Sequence, residues 1–540
     1  MVRSNHSAAG RRFHGYPPRG SRAHPDLIFN GEPSNPGANE IEMDDLAEVH
    51  DEGESQIRGS VERNPAARYV GFVKRSINQP SRYAFVVILI AGLAIAILTP
   101  PLKGADERDH FTRAYQIAGG DITVHKGGQR YGAILPSGYE QDISRLSNTV
   151  YLNPDHTAFL NLLGQKAPTG RRVFTQAGTV ASYGPGAYIA YLPAIDLGNA
   201  LGVSLAVEVY LARVAGLLVF ALLISLAVRR TPLHPWLFVA AALIPESLNQ
   251  ASTVSADGMT LALTSLVIAN ALRMSVGLES PSNRILVETF LASVLLALAK
   301  PPYVAFVLIL TVPAWKHRRQ LALPLGVTVC ASIVTSGLWL SYQRKRSLSL
   351  DLPHLTLFSG LRSDYAYRDI DIPQQTAYLL HQPWEIGRLI WNTLAYQGTA
   401  FPKQMVGLLA QYQVPTLVVV LSVVLIAASC LIADDSPVVQ LQLVDRCGLL
   451  FLSAGIATAI CAIVYVTANA LKAPRIDQLT ARYFLPLVAP VLLGLLPNGN
   501  YANIAKSRVV KAFVQIGLVA VLAITIIGLN HSFYGPSHLV

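Results

Sequence analysis

The sequence predicts an all-α polytopic membrane protein with about eleven transmembrane helices. Three observations predict it. The 540 residues are 51% hydrophobic and only 14% charged, whereas soluble globular chains carry roughly 25% charged residues. The apolar residues cluster in blocks of about 18–22, long enough for the roughly 30 Å hydrocarbon core of a bilayer, and the mean hydropathy is +0.38. The net charge of +10 sits largely in short loops between these blocks, as the positive-inside rule requires. That explains the basic balance without nucleic acid, for which no recognition module is present.

The chain opens on residues 1–82, a polar stretch rich in Gly, Pro, Ser and Arg that reads as a disordered cytoplasmic tail. Its charge is blocked: five Arg and no acid in 1–25, eleven acids against one Arg in 26–62, and five Lys/Arg in 63–82. No cleavable signal precedes the first apolar run, so that run is expected to act as an uncleaved anchor. Residues 83–531 form the membrane domain. Its spans are expected near 83–100, 205–228, 236–254, 257–274, 285–299, 301–315, 321–341, 414–433, 447–467, 483–497 and 511–530.

Arg229/Arg230, Arg273 with Arg284, "KHRR" at 316–319 and Lys506/Arg508/Lys511 then fall on the side of the tail, which makes that side cytoplasmic and puts the short end 532–540 outside. The acidic pair Asp434 and Asp435 runs against this pattern. Two long segments fall outside, 101–204 and 342–412. Within the second, 375–397 reads as an amphipathic helix with Leu379, Ile386, Ile390 and Leu394 on one face. Within the first, "SYGPGAYIAYLPAIDLGNALG" (182–202) is apolar but broken by glycines and prolines. A span there would invert every later loop, so a re-entrant or interfacial segment is expected.

Charged residues in and beside the spans carry the chemistry. Just past the first span, "PPLKGADERDHFTRAYQ" (100–116) sets Asp106, Glu107, Asp109 and His110 near the outer surface. A helix starting there places Asp106, Asp109/His110 and Arg113 on one face. Carboxylates so arranged can act as a general base or hold a divalent cation. The competing reading is a solvated loop with an acid at a helix start. "ALIPESLNQASTVSADG" (242–258) carries a polar stripe of Glu246, Asn249/Gln250, Thr253 and Asp257, with a kink expected at Pro245. There the competing reading is Ser255 as the N-cap of the fourth span. "ALAKPPY" (297–303) and "RIDQLTARYFLPL" (475–487) put Lys300, Arg475 and Arg482 on the outer side. Cations there suit an anionic partner such as a lipid phosphate, or they snorkel to head groups. Four cysteines show no metal or redox spacing, and no nucleotide-binding loop or nucleophile elbow occurs.

"PPLKGADERDHFTRAYQIAGGDI", "YGPGAYIAYLP", "IPESLNQASTVSADG", "LALAKPPY" and "ARYFLPLVAPVLL" occur in this order. Over roughly 83–500 the chain thereby resembles domain-of-unknown-function family 2142, a set of bacterial membrane proteins. That family in turn resembles the glycosyltransferase C (GT-C) superfamily. The resemblance implies a GT-C-like fold in the bacterial cytoplasmic membrane. It also implies a lipid-linked sugar donor and catalytic or metal-binding acids early in the first external loop.

On that basis Asp106 and Glu107 are the expected catalytic acids, and Lys300, Arg482 and Arg475 the donor-phosphate ligands. His110, Arg113, Tyr183, Glu246, Gln250, Asp257, Tyr303 and Tyr483 are expected to line the cavity. A divalent cation, Mg or Mn, would be held by Asp106, Glu107 and His110; no other cofactor is implied. The expected activity is transfer of a sugar from a polyprenyl-phosphate carrier to a cell-envelope glycan or lipid-linked acceptor. The alternatives are a transporter or flippase for lipid-linked oligosaccharide, and a non-catalytic protein of envelope assembly.

Overall fold

The computed structural model describes residues 79–127, 130–152, 156–276, 281–346, 348–350, 370–432, 441–496 and 508–535. The charged tail to residue 78, Asp434, Asp435, Lys506 and the 351–369 part of the second long segment lie outside the described residues.

The chain is mostly helical, and each of the eleven expected spans has a counterpart. The first helix, α1 (Pro80–Leu98), is followed by α2 (Glu107–Ala118). Next come β1 (His125–Gly127), β2 (Arg130–Pro136), α3 (Ser137–Leu152), α4 (His156–Leu163) and β3 (Arg172–Gln176). Two short 3₁₀ turns, Gly178–Ser182 and Pro185–Ala187, lead into α5 (Leu192–Leu201) and the long α6 (Leu205–Arg230).

The third expected span is broken in two, α7 (Pro235–Ala242) and α8 (Pro245–Ser252). Pro245 lacks an N–H and forces Ile244 out of helical geometry, to ψ 132°. The expected kink is therefore a full break. After α9 (Ala256–Val276) and α10 (Asn283–Ala297), the adjacent prolines 301 and 302 start a 3₁₀ segment, Pro301–Leu310, which runs into α11 (Thr311–Lys316). Helix α12 (Arg318–Arg346) and β4 (Leu348–Leu350) follow.

The amphipathic helix expected over 375–397 is instead two helices, α13 (Ile372–His381) and α14 (Glu385–Gln397), separated at Pro383. Leu394 leaves the face shared by Ile386 and Ile390 and is exposed. Next come α15 (Ala400–Gly407), the hairpin β5 (Leu408–Leu409) and β6 (Tyr412–Gln413), α16 (Thr416–Cys430) and α17 (Leu443–Ala468). A 3₁₀ segment Ala481–Leu487, α18 (Val488–Leu495) and α19 (Arg508–Tyr534) close the described chain.

Six of these helices, α1, α6, α9, α12, α17 and α19, are individually long and apolar enough to cross a membrane. Helix α9 is buried along most of its length, and all eight residues of α7 are buried. Both pack against α6, with α1 also against α7 and α10 also against α9. The outer helices α12, α17 and α19 show exposed Leu, Ile, Val and Phe such as Leu323, Phe451 and Ile516. That is the surface that lipid tails cover.

Residues 101–204 build a small cap. Strands pair in the order β3-β2-β1-β4, antiparallel except for β1 with β4. This sheet is an addition that the hydropathy pattern did not announce. The 182–202 segment comprises 3₁₀ turns and the ten-residue α5, about 15 Å of helix and half of what a bilayer core requires.

Candidate functional site

Four chain segments meet at one end of the bundle. They are the start of α2, the start of α9, the junction between α10 and the 3₁₀ segment at 301, and the 3₁₀ segment at 481. Each contributes one charged side chain. Lys300 Nζ donates to Asp257 Oδ1. Arg482 Nε donates to Asp257 Oδ2 at 3.2 Å, and Arg482 Nη2 donates to Asp106 Oδ2. The result is a row of alternating charge, Lys300–Asp257–Arg482–Asp106. Lys300, Asp257 and Arg482 are buried, whereas the Asp106 side chain is 42% exposed. Burying charge is costly unless it is paired. This row is paired throughout and opens to solvent only at Asp106.

Local structure explains how the two acids of the row come to face it. Asp106 holds the N-cap position of α2 in left-handed geometry, φ 56° and ψ 17°, yet its side chain caps nothing. Left-handed backbone is tolerated by Asp better than by most residues, and it turns the carboxylate from the helix start towards Arg482. At α9 the N-cap expectation for Ser255 holds: its Oγ accepts from Asp257 N at 3.1 Å. The Asp257 carboxylate is thereby left for Lys300 and Arg482.

Aromatic rings floor the row. Lys300 Nζ lies 5.2 Å from the Tyr183 ring centroid and 4.9 Å from that of Tyr483, and Arg482 is 5.4 Å from Tyr483. Such cation–π contacts favour the charged form of Lys and Arg. Tyr303 Oη donates to the Tyr483 carbonyl at 2.5 Å. His110 Nδ1 lies 2.8 Å from Tyr188 Oη. Burial, and then the Lys300 charge, push its imidazole down to about 4, so it is neutral at physiological pH.

Glu107 does not join this row. It is fully buried, and both its oxygens are filled on the other side of α2. Oε1 accepts from Arg213 Nε at 2.7 Å and from Val254 N at 3.0 Å; Oε2 accepts from Arg213 Nη2 at 2.6 Å and from Gly104 N at 3.0 Å. Arg213 spends its remaining donors on the carbonyls of Ala96, Thr99 and Pro100 at 2.6–2.9 Å. All five N–H groups are used. The pair ties α6 to the end of α1 and holds the Glu107 carboxylate away from the row. Glu107 faces Arg213 and His110 faces Tyr188, and among the described residues no three His, Cys, Asp or Glu side chains gather around one point.

Three further groups of candidate residues have hydrogen-bond partners of their own. Arg113 is a buried brace, donating to the carbonyls of Tyr183 and Ile122 at 2.9–3.2 Å and to Gln116 Oε1 at 2.6 Å. Glu246 and Gln250 make a closed string. Gln250 Nε2 donates to Glu246 Oε1 at 2.8 Å, Ser255 Oγ donates to Gln250 Oε1 at 2.6 Å, and Leu408 N donates to Glu246 Oε2 at 3.0 Å. The string braces the β5 hairpin beneath the row. Arg475 lies elsewhere, on Asp477 at 2.5 Å and 3.7 Å from the Tyr396 ring centroid.

Sequence reasoning passed over Arg213 and Glu208, both inside the second span. An Arg in "LAVEVYLARVAG" is the kind of intramembrane charge that demands a named partner, and that signal was available.

At the opposite end of the bundle the basic loops gather. Arg230 meets Glu288 at 2.6 Å with Arg284 at 3.0 Å, and Lys316 meets Asp445 at 2.6 Å, which Ser275 also reaches.

With this geometry in place, comparison with known proteins is informative. A family model described as "Predicted membrane protein (DUF2142)" matches residues 89–491. The chain belongs to that family. No functionally curated protein matches this DUF2142 chain. Among solved structures, ArnT from Cupriavidus metallidurans, bound to undecaprenyl phosphate, aligns over 83% of this chain and 75% of its own. The identity is 15% and the TM-score 0.34, too distant to transfer residues or substrate.

Proposed function

We propose that this DUF2142 protein is a membrane glycosyltransferase that moves a sugar from a polyprenyl-phosphate carrier to a cell-envelope glycan or lipid-linked acceptor. By the positive-inside rule the end holding Arg230, Arg284 and Lys316 faces the cytoplasm, so the charged row faces outward. One observation carries the reading: a half-exposed carboxylate, Asp106, rests on a buried Arg482 that shares a counter-ion with Lys300.

Asp106 accepts the proton of the acceptor hydroxyl as that oxygen bonds to the anomeric carbon. The bond from the anomeric carbon to the phosphate oxygen breaks, and its electron pair stays on the departing lipid phosphate. Arg482 and Lys300 meet that charge, and preorganised cations of this kind supply the larger share of such catalysis. Because the Asp106–Arg482 contact is at the open end of the row, an arriving phosphate competes for Arg482 and frees Asp106. The base then becomes available only when donor is bound.

The test is transfer from a polyprenyl-phosphate sugar in proteoliposomes. Asp106→Asn should lower the rate by about 10²–10⁴-fold, the range of general-base catalysis, and undiminished transfer would remove the assignment. Movement of the lipid-linked sugar across the bilayer without transfer would support the transporter instead.

A further inference from the structure

The pair α13 and α14 is apolar on two sides. Towards the protein, Leu389 and Thr393 are buried and Ile386 and Ile390 pack on the core. Away from it, Leu380, Trp384 and Trp391 are 76%, 69% and 73% exposed, and Leu394 and Tyr396 are also uncovered. Trp384 at the N-cap of α14, with Trp391 and Leu394 in the helix, follow helical spacing and so share one stripe. A helix apolar on both faces is stable only when both are covered, and a contiguous stripe with two bare indoles is not an ordinary aqueous surface.

The depth of this face is fixed by hydrogen bonds. Helix α17 has 26 residues, about 39 Å, enough to cross the roughly 30 Å hydrocarbon core. Its C-terminal end at Ala468 therefore lies at a membrane boundary. The residues that follow are tied directly to α13 and α14. Gln375 Nε2 donates to Ala470 O at 3.1 Å while its Oε1 accepts from Lys472 N at 2.9 Å. Asn392 Nδ2 donates to Pro474 O at 2.9 Å, Thr393 Oγ1 accepts from Ile476 N at 2.9 Å, and Gln397 Nε2 donates to Leu479 O at 3.2 Å.

Cations rim the aromatic face. Arg475 stacks on Tyr396, Lys472 lies 5.7 Å from the Tyr378 ring centroid, and Arg388 pairs with Glu385. Indole and phenol rings at head-group depth, with Lys and Arg reaching the phosphates, are the signature of an interfacial belt.

We infer that the exposed face of α13 and α14 is embedded in the interfacial layer of the bilayer, with phospholipid as its occupant. The pair works as a membrane-anchored clamp on residues 469–479, the segment that delivers Arg482 to the charged row. Arg475 thereby finds a role as a head-group contact. The inference needs only the membrane setting and holds whether or not the row transfers sugar.

The experiment uses the full chain in nanodiscs of phosphatidylethanolamine and phosphatidylglycerol. Intrinsic fluorescence of the wild type is compared with a Trp384→Phe, Trp391→Phe double variant, both mild changes at exposed positions. The expected result is that lipids brominated near the head group quench the wild type clearly more than the double variant, with a smaller difference for bromines near the terminal methyl. A difference that appears only with aqueous iodide overturns the inference. A nitroxide at Ala395→Cys gives a second reading: collisions with dioxygen should exceed those with a soluble nickel chelate. The reverse order, or exclusion of both reagents by a protein partner, also overturns it.

Discussion

Asp106 and Glu107 are neighbours in sequence and have opposite fates. Asp106 is the left-handed N-cap and Glu107 the first helical residue, so their side chains leave the backbone in different directions. Glu107→Gln or Arg213→Ala should destabilise the fold by about 3–5 kcal/mol, because each strands a buried charge; thermal unfolding in detergent reads this. Asp106→Asn should leave the melting temperature close to that of the wild type, because Arg482 keeps Asp257, while lowering transfer. His110 adds a pH signature. Its pKa in the fold, about 4, is below the roughly 6.5 of an unfolded His, so the unfolded chain takes up the proton first. The stability it contributes is complete above pH ~6.5 and is lost as pH falls towards 4, to a total of about 3 kcal/mol. Asp257 and Asp106 oppose the shift, Lys300 and Arg482 add to it, and Tyr188 holds the ring by hydrogen bond. His110→Gln should flatten the acid limb of a melting-temperature profile relative to wild type. The spacing of acids in "GADERDH" was legible; their division of labour was not, because the partner that consumes Glu107 lies 106 positions away.

Prolines and glycines shape the elements that carry the row. The broken third span, the 3₁₀ segments at 301 and 481 and the divided helix at 383 all trace to visible prolines, and the sequence underestimated only how completely each interrupts a helix. Glycine acts where backbones touch. A Cβ on Gly184 would overlap the carbonyl oxygen of Leu298, and one on Gly186 that of Leu295. These close approaches seat the 182–202 segment on α10, beside Tyr183 under Lys300. Gly184→Ala should therefore cost about 1–3 kcal/mol by overpacking, seen as a lower melting temperature. The cap sheet was not legible, since its strands of three to seven residues are too short to register as alternation.

The described residues form a bundle with a charge-paired row at one end and basic loops at the other. With the four native cysteines replaced, Thr169→Cys and Ser282→Cys, both at exposed positions, should react with an impermeant maleimide from opposite sides of sealed vesicles; labelling of both from the same side would overturn the topology proposed here. Hydropathy and loop charge were enough for the membrane class, the order of the spans and the gathering of the basic loops, because lipid imposes those patterns on each segment locally. The chemistry of the site is different. Asp106, Asp257, Lys300 and Arg482 were visible as charges, but which of them meet, and that Glu107, Arg113 and Arg475 find their hydrogen-bond partners outside the row, follows from the folded contacts. Such pairing is a property of packing: a buried charge takes whichever partner the folded bundle brings within hydrogen-bond reach.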